Sequence, residues 1–84
     1  MEELSKTMKN TIFEIIQNQI RDNNPPETKK TYDRLLASGI KKKEVMNLIA
    51  AVVSVEIFEI MKNKTEFNLP RFVKNMMNLP ELPY

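Results

Sequence analysis

The chain has 84 residues with neither cysteine nor histidine, which excludes disulfides, thiolate nucleophiles, the commonest general base and the commonest zinc ligand. Thirteen Lys and Arg face eleven Asp and Glu for a formal charge of +2, too balanced to indicate nucleic acid or an anionic membrane by itself. A core of this size buries only roughly 60–65% of its unfolded surface, so a single domain spanning residues 1–84 is expected to need tight helix packing or association.

The amino end, MEELSKTMKN, carries acids at Glu2 and Glu3 and lacks an apolar h-region. It fits neither a secretory signal nor a basic transit peptide, and a cytoplasmic protein is expected. From about residue 2 to 22, Leu4, Met8, Ile12, Ile15, Ile16 and Ile20 recur at spacings of three and four, with Phe13 at the edge of the stripe. That pattern predicts an amphipathic helix. Asn23 and Asn24 stop it, and Asn24-Pro25-Pro26-Glu27 restarts the chain as a second helix over about 25–38. Asn24 suits the N-cap, the prolines take first-turn positions whose N–H groups lack partners anyway, and Glu27 faces the positive helix end. This helix is expected to bury Thr28, Thr31, Tyr32, Leu35 and Leu36. Gly39 falls where a left-handed C-cap is wanted, and Ile40 can pack back across that turn.

The third helix, about 42–62, is apolar on most of its circumference. Val45, Met46, Ile49, Val52, Val53, Ile57 and Ile60 form one broad arc, while Ala51, Val55 and Phe58 occupy the opposite side. Such a helix is either surrounded by others or buried at an interface between chains. A membrane span is excluded because the unbroken apolar run is only Leu48 to Val53, against the ~20 residues a span requires. Ala51, Val55 and Phe58 are therefore the candidate face of a homodimer. Lys41, Lys42 and Lys43 open this helix against its positive end, with Glu44 at the capping-box position as a partial offset. After a polar loop at Asn63-Lys64-Thr65, Asn68 is a second N-cap candidate with Pro70 in the first turn. A last helix over about 69–78 then presents Leu69, Phe72, Val73 and Met76 to the core. Leu79-Pro80 ends it, since a residue before proline is pushed out of helical geometry, and residues 79–84 form an extended tail able to lie over an apolar groove.

Glu56 is the sharpest polar feature, because the wheel sets it between Ile49, Val52 and Ile60 inside the apolar arc. A carboxylate there must find donors or take up a proton. The expected partners are the Tyr32 hydroxyl, Arg71, the first-turn amides of the last helix, or Arg34 of a second copy. With Tyr32, Glu56 reads as a buried polar lock. A carboxylate di-metal site would need further acids and Glu-x-x-His pairs, and the chain has no histidine. No catalytic residue, metal ligand or cofactor is implied, and the reading is non-enzymatic.

Lys41, Lys42 and Lys43 are a candidate basic patch, open to extension by Lys29, Lys30 and Arg34, that could hold a phosphate or approach a nucleic-acid backbone. A run of three is short for that role. Residues 35–49 have the cadence of a helix-turn-helix, but the second helix continues with apolar residues and leaves no polar reading head. Met8, Met46, Met61, Met76 and Met77 could line an adaptable peptide groove, although methionines at helical spacing mostly mark packing.

Asn24-Pro25-Pro26-Glu27, Arg34-Leu35, Gly39, Glu56-Ile57 and Leu79-Pro80 together resemble a group of small bacterial all-helical proteins without assigned function, over residues 23–83. These elements are helix starts, a cap and a terminator, so the resemblance implies a fold and carries no site residue. The expectation is an all-α, antiparallel bundle of four helices around a central apolar helix. Its function is expected to be that of a homo-oligomeric interaction or assembly module with itself or another protein as partner. The alternative is weak nucleic-acid or phosphate-ligand binding through the basic patch.

Overall fold

A computed structural model describes residues 6–84. Four helices follow in order: α1 (Lys6–Asp22), α2 (Pro26–Ala37), α3 (Lys42–Asn63) and α4 (Leu69–Asn78). Among the described residues there is no strand. The expected all-α bundle is the fold, with α1, α2 and α4 all packed on α3 and with α2 also touching α1 and α4. The start of the first expected helix, including Leu4, lies outside the described residues.

The apolar stripe of α1 places Ile12 and Ile16 in the core, with Phe13 and Ile20 packed against it. Asn23 ends α1 in the left-handed conformation at φ 53°. The Asn24 amide then donates to the Gln19 carbonyl at 3.0 Å and the Asn23 amide to Ile20 at 3.3 Å, so the last carbonyls of α1 are satisfied by the turn itself. This arrangement moves the start of α2. Asn24 does not cap it; Pro25 occupies the N-cap in extended geometry without a side-chain hydrogen bond, and Pro26 is the first helical residue. The boundary falls there because the Pro25 carbonyl accepts from the Thr28 amide at 3.2 Å, the bond that opens the helix. Thr28, fully buried, ties the two helices by donating from Oγ1 to Gln19 Oε1 at 2.9 Å.

Gly39 takes φ +99°, and two hydrogen bonds close the end of α2: Gly39 to the Leu36 carbonyl at 3.0 Å and Ile40 to the Leu35 carbonyl at 3.2 Å. Ile40 packs back on the core, the apolar contact that accompanies this motif. α3 begins one residue on, with Lys41 as an extended N-cap that supplies no side-chain hydrogen bond. Lysine has no acceptor to offer, so the reciprocal half of the box expected with Glu44 is missing, and Glu44 acts only as a first-turn acid.

Val45, Met46, Leu48, Ile49, Val52 and Val53 are the buried residues that α3 gives to the core, together with Glu56. Ile60 is exposed rather than buried, and Ile57 only half-buried, because the core ends at the level of Glu56 and the last turn of α3 runs on beyond it. Lys64 ends the helix in the left-handed conformation at φ 56° without a glycine. On α4, Phe72 and Met76 are buried and Val73 is half-buried, whereas Leu69, expected in the core, is exposed. As the first helical residue it sits on the rim. Leu79, past the end of α4, fills a core position instead.

Candidate functional site

Glu56 is 3% exposed on a helix whose neighbours at that level are apolar. Its carboxylate accepts three hydrogen bonds: Arg71 Nε to Oε2 at 2.7 Å, Arg71 Nη2 to Oε1 at 3.0 Å, and the Asn68 amide to Oε1 at 3.2 Å. Asn68 in turn caps α4, its Oδ1 accepting from the Arg71 amide at 3.0 Å. One carboxylate thus fixes the amino end of α4 through its N-cap and its third residue. The paired guanidinium foremost, then the Asn68 amide and the positive charge of Arg71, hold the Glu56 carboxyl below its usual range against the opposing effect of burial. Glu56 therefore stays ionised at neutral pH, with its lone pairs engaged, and offers no proton for catalysis.

Tyr32, expected beside Glu56, is not among its partners. It lies half-buried in a shallow cleft of about 190 Å³ with Gln17, Arg21 and Lys42, because α2 meets α3 near the opposite end of the central helix from Glu56. Arg34, expected as a partner only from a second copy, is engaged within its own chain. Its guanidinium donates to the carbonyls of Leu79 at 3.0 Å and Met76 at 3.1 Å, closing the carboxyl end of α4. The signal for this was present in the sequence, since α4 has no basic residue in its last turn and its final carbonyls needed an outside donor.

Lys41, Lys42 and Lys43 are all exposed at the amino end of α3. Lys42 is the one that joins Tyr32 in the shallow cleft. Of the methionines, Met46 and Met76 are buried, while Met61 and Met77 are exposed.

Ala51, Val55 and Phe58 come together on the far side of α3, where α1 and the tail leave an open groove of about 750 Å³. Phe58 is 59% and Met61 63% exposed there. Met8 and Ile12 of α1 form the opposite wall, and Pro83 and Tyr84 of the tail close one side. Among the described residues, Ser54, Glu59 and Tyr84 are the polar side chains of the lining, and the Ser54 hydroxyl is committed to the Ala50 carbonyl at 2.7 Å. Sequence periodicity locates the helical wall of this groove but not its contribution from Tyr84, which depends on how the tail turns after Leu79.

Among the described residues, no group of His, Cys, Asp or Glu could hold a metal ion, and no helix is long and apolar enough to cross a membrane. Comparisons with protein-family models, curated proteins and solved structures find no match to the chain.

Proposed function

We propose that the chain is a non-enzymatic assembly or protein-interaction module that pairs with a second copy through the outer face of α3. The observation that carries this reading is the exposure of Phe58 and Met61 on a groove whose walls include Ala51, Val55, Met8 and Ile12. Clustered apolar side chains of this kind mark association surfaces, whereas single exposed ones are ordinary. A two-fold pairing uses the same patch on both copies and closes the assembly. The polar features support a structural role elsewhere: Glu56 and Arg34 hold the two ends of α4.

Light scattering on the purified chain tests the reading. The wild type is expected at twice the mass of one chain and Phe58→Glu at the mass of one, because a carboxylate at the centre of an apolar contact cannot be desolvated without a partner. A wild type that stays monomeric at high concentration overturns it.

A further inference from the structure

Small and large side chains are kept apart on the outer face of α3. Asn47, Ala51, Ser54, Phe58 and Met61 follow one another at alternating spacings of four and three, the interval that keeps one stripe of a helix turned toward a neighbouring helix. The half of the stripe toward Asn47 is small, and the half toward Met61 is large. Over Ala51 and Ser54 the groove meets a second cleft of about 210 Å³, lined by Lys9 and Asn47 among others, and the two clefts share Ile12, Ala51, Ser54 and Tyr84. The small side chains leave a hollow there beside Ile12 of α1. One turn further on, Phe58 and Met61 stand out into solvent. A hollow and a projection thus lie on the same stripe of one helix.

We infer that two copies pair with their α3 helices antiparallel, Met61 of each copy over Ala51 of the other and Phe58 of each over Ser54 of the other. The inference rests on the assembly reading and adds to it the direction and register of the pair. A parallel pairing is also two-fold, but it sets Phe58 on Phe58 and Ala51 on Ala51. The large end then holds the helices apart and leaves a void at the small end. The antiparallel register seats a projection in each hollow, and symmetry does so twice. In it Val55 of each copy faces Ile57 of the other, and both line the groove. Size decides the direction and charge does not. The Lys9 ammonium stands 5.6 Å from the centre of the Phe13 ring near one end of the stripe, and that of Lys62 stands 5.4 Å from the centre of the Phe58 ring at the other. Ser54 can be covered by a ring without orphaning a donor, because its hydroxyl is already given to the Ala50 carbonyl. Glu59 falls off the stripe, its Oε1 accepting from Asn63 Nδ2 at 2.6 Å, so its charge can stay in water when the stripe is covered.

Cross-linking tests the register. Ala51→Cys and Met61→Cys each put one thiol into a chain that has none. The two variants are refolded separately and as an equal mixture, at a concentration where light scattering finds both paired, and treated with a short bis-maleimide linker that tolerates a misfit a disulfide does not. In the antiparallel register the two thiols of a like pair lie about 15 Å apart along the axis at ~1.5 Å per residue, while those of a mixed pair face each other. Neither variant alone is expected to cross-link. The mixture is expected to link about half of its chains, the share that random pairing puts into mixed dimers, and adding Phe58→Glu to both variants is expected to remove the product. Cross-linking of either variant with itself means parallel helices and overturns the inference. So does a paired mixture that yields no product, or a product that survives Phe58→Glu. In the first two cases the assembly reading stands. A wild type that is monomeric by light scattering overturns both.

Discussion

Arg71 grips Glu56 with two nitrogens, Nε at 2.7 Å and Nη2 at 3.0 Å, and the grip joins the middle of the bundle to the first turn of its last helix. The acid is buried and the guanidinium partly open to solvent, so the two partners are not equivalent. Removing Arg71 leaves a charge in a dry site, while removing Glu56 leaves a cation that can turn outward. Arg71→Met is therefore expected to destabilise by about 2–4 kcal/mol and Glu56→Ala by somewhat less, with the double variant well short of the sum. Urea unfolding of the three variants checks this, and additive losses would show that the pair is not coupled.

The same pair gives stability a defined pH dependence. The Glu56 carboxyl titrates below its usual value of 4.5 when folded, so the folded state binds fewer protons than the unfolded state. Its contribution is fully present above that usual value and is lost as pH falls through the lower folded value. The stability gap between wild type and Glu56→Gln is expected to be flat above about pH 5 and to shrink below about pH 4.5. A gap that widens on acidification would contradict the assignment of the ionised form.

How much of this was legible in the sequence depends on whether a feature is local or relational. The placement of Glu56 inside the arc of α3, the Gly39 cap and the Asn68 cap follow from periodicity and side-chain chemistry within a few residues, and each appears where those rules put it. The wheel gives angular position but not where neighbouring helices end, so it placed Ile60 and Leu69 in a core that stops short of both. The cross-helix register was likewise invisible, and it separates Tyr32 from Glu56. Arg34 points away from the apolar stripe of its own helix, where a wheel predicts solvent, yet the carboxyl end of α4 lies there. The α3 wall of the candidate groove was readable, while its extension to Lys9 and Tyr84 required the packing of α1 and the path of the tail.

Gly39 offers a test of backbone strain free of crowding. A Cβ built at this residue meets nothing within 4 Å, yet φ is +99°. A Cβ alone therefore adds no crowding, and the loss it brings is conformational. Gly39→Val is expected to cost about 1–2 kcal/mol and Gly39→Asn less, since asparagine tolerates positive φ better than a β-branched residue. Thermal unfolding of both variants distinguishes strain from packing, because a steric cause would penalise the two alike.

Asn68 serves two partners by different groups, and substitution separates them. Its side chain caps α4 through the Arg71 amide, while its own backbone amide donates to Glu56. Asn68→Ala removes the cap and keeps the amide, so the expected loss is about 1 kcal/mol. Asn68→Asp keeps an acceptor at the cap but adds a carboxylate close to Glu56. It is expected to recover the cap at neutral pH only in part, and measured stabilities in the order wild type, Asp, Ala would confirm that both effects act.

The carboxyl end of α4 is held by Arg34 rather than by its own sequence. Met76 and Leu79 lend their carbonyls to the two ends of one guanidinium fork, a geometry that a single ammonium does not reproduce. Arg34→Met and Arg34→Lys are both expected to lose about 1–2 kcal/mol, with lysine recovering little. Native-state hydrogen exchange locates the effect. Loss of the fork frees the last turn of α4 together with Leu79, so amides from Lys74 to Glu81 should exchange faster while those of α1 keep their protection. Uniform acceleration across the chain would mean that Arg34 supports the whole bundle rather than this end of α4. Unchanged exchange in α4 would mean that water replaces the guanidinium at no cost.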